Sequence, residues 1–331
     1  MSDDNLGAGS DFRSGSPLSF AMISVASLEA SLRFYRDLIG LRASEIVTLP
    51  RLEAGFVDPG AGAPARVAMC EEPGTGVGRV LLVEYDAPHD GTVRQPGDRT
   101  TRGYWNLNFY VDDIHASTRA LRAAGFDFWS DPVQYRVGES AGVATEVVFE
   151  GPDSVAVNLV QPEGGPETFT GRVRAEASRH GKTATGFTPV ATTAHCVRDL
   201  EAASAFYTGV LGMRVVIDEI LGRPETNHFL ARPVAARTHT QFVAGTHFFG
   251  KVALNEPQNW VVPERVERAV APRVGYLAQG FLVPDLGKIA AGWRGPAPRR
   301  MDLAGVPGLS RGEALQLRVP GSGALALLLQ A

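Results

Sequence analysis

Apolar and polar positions alternate along the chain in a pattern that recurs four times. Short apolar or alternating runs (Phe20–Val25, Leu107–Val111, Ala191–Val197 and Gly280–Val283) are each followed by Asp or Ser and then by a helical stripe. In the first stripe Leu28, Leu32, Tyr35 and Leu38 recur at helical spacing, which places them on one face. Ser27 and Asp199 have the chemistry of N-caps, Glu29 and Glu201 suit the first turn, and Gly40 and Gly212 suit the stop. Helices are predicted near 28–39, 113–124, 199–211 and 285–292, with strand pairs and Gly- or Pro-bearing turns after each. The implied class is α+β, with helices covering one face of mixed sheets.

The pattern is also an internal repeat. Leu28-Glu-Ala-Ser-Leu-Arg-Phe-Tyr35 recurs as Leu200-Glu-Ala-Ala-Ser-Ala-Phe-Tyr207, an offset of 172 residues (200 − 28). The same offset relates Gly40 to Gly212 and Asp113 to Asp285. One offset at three separated places points to a duplicated half. The expected organisation is a leader over 1–16, a first half over 17–162 (modules 17–86 and 103–162), a linker over 163–186, and a second half over 187–331 (modules 187–257 and 273–331).

Composition narrows the function. The chain has 331 residues, 44% hydrophobic and 21% charged, with net charge −4 and no Lys/Arg-rich run. That leaves no electrostatic footprint for nucleic acid. No stretch approaches the roughly 18 apolar residues of a spanning helix, so no membrane partner is expected. Met1–Ser16 lacks the basic start and apolar centre of a signal peptide, and two cysteines fit a reducing compartment, so the cytoplasm is expected. The partner expected is a small-molecule ligand or substrate, and a homodimer is left open.

Val25–Leu41 and Val197–Met213 resemble the opening helix of the vicinal-oxygen-chelate superfamily, which includes glyoxalase I, bleomycin-resistance proteins and extradiol dioxygenases. Val111–Ile114, Leu121–Gly125 and Gly151–Ser154 resemble the second module of that family. The resemblance implies four βαβββ modules paired into two tandem domains, each a cupped sheet that holds a divalent metal. The first-strand ligand positions it implies are Phe20, Asn106, Thr192 and Ala278. The late-strand positions are Asn158 and Ala326. None carries a typical ligand, so neither a metal nor any other cofactor is expected. The activity this implies is metal-independent acid–base chemistry, of lyase or isomerase type, on an aromatic or polyketide-like metabolite. The alternatives are a ligand-sequestering resistance protein and a metal enzyme with relocated ligands.

Strand alternation selects the side chains of the first cup. Asn106, Asn108 and Tyr110 share a face opposite Leu107, Phe109 and Val111, and Tyr104 has the same parity. Ser24 shares cup parity on the first strand. With Asn158 these residues are expected to bind substrate. Glu84 ends an apolar strand and is expected beside Asn106 and Asn158 as a general base. His228, His239 and His247 form the alternative site in the second half. His195 has helix-facing parity and reads as a core histidine.

Overall fold

The computed structural model describes residues 15–138, 141–309 and 312–331. The expected leader lies outside these residues except for Gly15 and Ser16. The four modules are present. Module one contains β1 (Leu18–Ser24), α1 (Leu28–Leu32), β2 (Arg42–Ala43), β3 (Val47–Leu52), β4 (Ala63–Glu71) and β5 (Arg79–Tyr85). Module two contains β6 (Gly103–Tyr110), α2 (Ile114–Ala123), β7 (Val133–Gly138), β8 (Gly142–Glu150) and β9 (Ala156–Glu163), followed by α3 (Phe169–His180). Module three contains β10 (Val190–Cys196), α4 (Leu200–Ala205), β11 (Arg214–Leu221), α5 (Pro224–Phe229), β12 (Thr238–Ala244) and β13 (Lys251–Pro257). Module four contains β14 (Gly275–Val283), α6 (Leu286–Gly292), β15 (Arg299–Asp302), β16 (Glu313–Arg318) and β17 (Leu325–Gln330).

The repeat extends to local conformation. α1 passes into a π-helical turn over Arg33–Leu38, and α4 does so over Phe206–Val210. Each turn carries an edge-on aromatic pair into the core, Phe34–Tyr35 at 4.9 Å and Phe206–Tyr207 at 5.1 Å. Ser27, Asp113, Asp199 and Asp285 each cap a helix by accepting a backbone N–H three residues on. A second acceptor reaches each helix start from the end of its module's last strand. Leu28 N–H donates to Glu84 (2.6 Å), Ile114 N–H to Gln161 (2.9 Å), Leu200 N–H to Glu256 (3.2 Å) and Leu286 N–H to Gln330 (3.2 Å).

The modules form two sheets, each drawing on both halves of the chain. One runs β15-β16-β17-β14-β1-β5-β4-β2, with β3 also on β4, and joins modules four and one. The other runs β11-β12-β13-β10-β6-β9-β8-β7 and joins modules three and two. The joints are antiparallel, β1 against β14 and β6 against β10. The sequence expectation placed modules one and two around one cup. That placement is corrected: the first strand of each module needs a neighbour, and its alternation does not say which module supplies it.

One apolar core draws on both sheets and on α1, α2, α4 and α6, through Leu28, Leu121, Leu200 and Leu286 among others. His195 lies inside it, wholly buried. Its ring nitrogens meet the Tyr207 hydroxyl at 2.9 Å and the Ser322 hydroxyl at 2.8 Å, and burial lowers its pKa to about 3. The outer, cupped faces differ from each other. The cup of modules one and four is packed solid by Phe20, Met22, Leu81, Leu277, Met301 and Leu327. Residues 53–61 are tied across it: Gly55 N–H donates to Gln316, and Arg299 donates to Phe56 O and Ala61 O. The cup of modules two and three is open.

Candidate active site

The open cup is floored by the central strands β9, β6, β10 and β13 and walled by β8, β12, α3 and α5. It holds about 770 Å³ of space counted out to its mouth. Asn106, Asn108, Tyr110, Asn158, Thr192, Thr240 and Asn255 supply its polar surface. Trp105, Tyr135, Phe169 and Phe229 supply flat apolar walls, with Tyr135 and Phe229 at 5.2 Å.

Four of the expected residues, Asn106, Asn108, Tyr110 and Asn158, meet here. β6 and β9 are parallel with Asn108 opposite Asn158, while β6 and β10 are antiparallel with Asn108 opposite Thr192. The Asn106 amide oxygen accepts the Ala194 N–H at 2.8 Å. The amide oxygens of Asn108 and Asn158 are buried and accept no hydrogen bond. A buried acceptor without a donor is destabilising by about 1–3 kcal/mol, which a bound molecule that donates there would relieve.

Three expected residues lie elsewhere. Tyr104 misses the cup because β6 is bulged: Ala194 pairs with Asn106 but His195 pairs with Tyr104, leaving Trp105 as the extra residue. The bulge resets the parity, so Trp105 joins Asn106 at the cavity and Tyr104 packs on His195 in the core at 4.5 Å. Ser24 lies on β1 in the other sheet and donates to Pro272 O at 3.3 Å. Glu84 ends β5 in that same sheet, where it accepts Leu28 N–H and an Arg66 N–H (3.3 Å). It is the capping residue of its module, with the same part as Gln161, Glu256 and Gln330.

The alternative histidines do not converge. His228 is exposed on α5. His239 points away from the cup, between the cup-facing Thr238 and Thr240, and meets Asp218 at 2.6 Å. His247 lies before β13, its ring tilted against that of His180 at 4.8 Å, with its pKa lowered to about 4 by burial.

Two ionisable residues of the cavity were missed. Glu146 on β8 is buried and accepts hydrogen bonds from Asn158 Nδ2 (2.7 Å) and the Tyr135 hydroxyl (2.7 Å). Burial raises its pKa above the ordinary carboxyl value, against those two donors. A signal existed: Glu146 is a lone charge within Val143-Ala-Thr-Glu-Val-Val-Phe149, on the parity of Ala144 and Val148. Arg232, from the loop after α5, is buried in the wall over the Trp260 ring at 5.4 Å. No periodicity marks it.

Residues 18–159 match the family model described as the Glyoxalase/Bleomycin resistance protein/Dioxygenase superfamily. This stretch of the chain is similar to that superfamily. The vicinal-oxygen-chelate fold extends over the rest of the molecule. A glyoxalase I mutant from Zea mays superposes with a TM-score of 0.62 at 13% identity, covering 96% of this chain and 94% of that one. A Bacillus subtilis protein assigned as a dioxygenase superposes at 0.56 and 13% identity, covering 96% and 86%. Among curated proteins none matches the sequence.

The superfamily resemblance implies a divalent ion in the cup, and the side chains present do not fit one. Among the described residues no three His, Cys, Asp or Glu side chains come together. The cavity offers neutral amides, hydroxyls and one carboxyl that Asn158 and Tyr135 already occupy. Divalent ions need several carboxylate, imidazole or thiolate donors aimed at one point.

Proposed function

We propose that this chain is an enzyme of acid–base type that acts on a small molecule bound between modules two and three, with Glu146 moving the proton. The observation that supports this is a buried carboxyl on the cavity wall, held by two hydrogen-bond donors in a site whose other polar groups are amides, hydroxyls and the Arg232 guanidinium. Burial raises its pKa against two donors that favour the anion, so Glu146 is suited to exchange a proton with a substrate carbon or oxygen. The anion left behind is met by Asn158 N–H and Tyr135 O–H, which makes the return transfer practicable. Trp105, Tyr135 and Phe229 exclude water and hold the flat part of the substrate, as lyase or isomerase chemistry on an aromatic or polyketide-like metabolite requires.

The aromatic walls also suit a second reading, a protein that sequesters its ligand without reaction. Solvent-deuterium exchange separates the two. Aromatic ketones with an enolisable C–H, 4-acetylbenzoate among them, are incubated in deuterated buffer and followed by NMR. Accelerated exchange that falls about 10²–10⁴-fold in Glu146→Gln supports the enzyme. Ligand binding with no exchange supports sequestration. We also propose that the duplicated unit is the half, 17–162 and 187–331 joined by 163–186, although each sheet draws on both.

A further inference from the structure

Among the described residues, three arginines are buried in the interior, and their surroundings can be compared. Arg94 lies in the loop after β5, with Glu150 at 2.9 Å and Ser154 O at 2.8 Å. Arg79 on β5 donates to Ser19 O and Gly308 O, with Glu71 at 4.0 Å. Both positive charges are answered by protein oxygens. Arg232 is not. Among the described residues its side chain makes one hydrogen bond, Nη1 to Thr238 Oγ1 at 3.3 Å, and its Nε is buried with no acceptor. No carboxylate lies within 4.0 Å of it among those residues. It faces the open cavity rather than packed core. Burial lowers its pKa to about 10, which still leaves it charged at neutral pH. A buried charge without a counter-charge is strongly unfavourable, and a guanidinium is shaped to take a carboxylate in two parallel hydrogen bonds.

The rest of the cavity adds two constraints. Its walls near Arg232 are aromatic: Trp260 under the guanidinium, then Tyr135 and Phe229. At the other end the buried amide oxygens of Asn108 and Asn158 lack donors. Arg232 lies by the Cys196 end of β10, and Asn108 pairs with Thr192. Those two β10 residues are four apart, or about 13 Å at the rise of a strand.

We propose that the ligand of this cavity is a hydroxylated aromatic carboxylate of about two rings. Its carboxylate is seated on Arg232, its ring body lies between the aromatic walls, and its hydroxyl donates to the amide floor. This deepens the reading of the cavity as the working site, and it does not depend on Glu146 transferring a proton.

The test uses 6-hydroxy-2-naphthoate, whose carboxylate and hydroxyl lie at opposite ends, and its methyl ester. Binding is measured by calorimetry on the full chain. The wild-type protein is expected to bind the acid about 10- to 100-fold more tightly than the ester, the scale of a charged hydrogen-bond pair. Arg232→Gln is expected to lose that preference while still binding the ester within about threefold, which shows that the cavity survives. Arg232→Lys keeps the charge but not the fork and is expected to fall between the two. Acid and ester binding wild type equally, neither binding it at all, or Arg232→Gln retaining the preference would each overturn the proposal. Glu146→Gln separates the two readings. Wild-type preference for the acid that is lost in Arg232→Gln, together with exchange unaffected by Glu146→Gln, defeats the acid–base reading alone.

Discussion

Glu84 offers the sharpest contrast between a catalytic and a structural carboxylate. In the structure it accepts the first N–H of α1 at 2.6 Å and meets Arg66 at 3.3 Å, half-buried at the end of β5. Replacing it by Ala removes an acceptor from a helix start, about 1 kcal/mol. Loss of a negative charge beside the N-terminus adds roughly 0.3–1 kcal/mol. The Arg66 pair is partly exposed and shared with Glu29, so it adds at most a few tenths. Glu84→Ala is therefore expected to lower stability by about 1–2 kcal/mol. Glu84→Gln should lose well under 1 kcal/mol, because Gln161 and Gln330 already perform the same cap with a neutral amide. The assay is urea unfolding by circular dichroism with a common m-value. Glu256→Ala, the equivalent position 172 residues on, is expected to match Glu84→Ala. Deuterium exchange should be unchanged in all three. If Glu84→Ala leaves the urea midpoint where it was and abolishes exchange, Glu84 is catalytic and its capping role is wrong.

Further outcomes follow from the same structure. The folded-state pKa of Glu146 is raised, so wild-type stability should fall as pH rises above about 4.5 toward the folded value. Glu146→Gln should remove that slope and be the more stable protein at neutral pH; parallel curves in thermal unfolding from pH 4 to 8 would count against a raised pKa at Glu146. Tyr135→Phe removes a donor that stabilises the Glu146 anion, so the pH profile of exchange should move upward. The folded-state pKa of His195 is depressed to about 3, so its share of stability is intact above about 6.5 and declines as pH falls. Replacing His195 by Gln should flatten the wild-type acid branch between pH 6.5 and 4. Phe20→Ala empties part of the filled cup and should cost about 3–5 kcal/mol by urea unfolding without affecting exchange.

Much of the fold could be read from alternation, caps and the 172-residue repeat. Ser27, Asp113, Asp199 and Asp285 mark the four helix starts, because an N-cap is a local requirement written in local residues. The partnership of modules was not legible, since β6 presents the same edge to any first strand. That choice moved Glu84 and Ser24 to the other sheet, away from Asn106. The parity argument succeeded for Asn106, Asn108 and Tyr110. It failed at Tyr104, where one bulged residue inverted the faces. The linker concealed α3, whose Phe169, Thr170 and Val173 close the cavity. Arg232 could not be found from pattern at all, because a loop residue's burial depends on what folds over it.

The most direct measurement is solvent-deuterium exchange into a bound enolisable aromatic acid, run side by side on wild type, Glu146→Gln and Glu84→Gln. Exchange that is lost about 10²–10⁴-fold in Glu146→Gln and kept in Glu84→Gln is the expected result. Exchange kept in Glu146→Gln and lost in Glu84→Gln would place the chemistry in the other sheet and contradict the assignment of the working site.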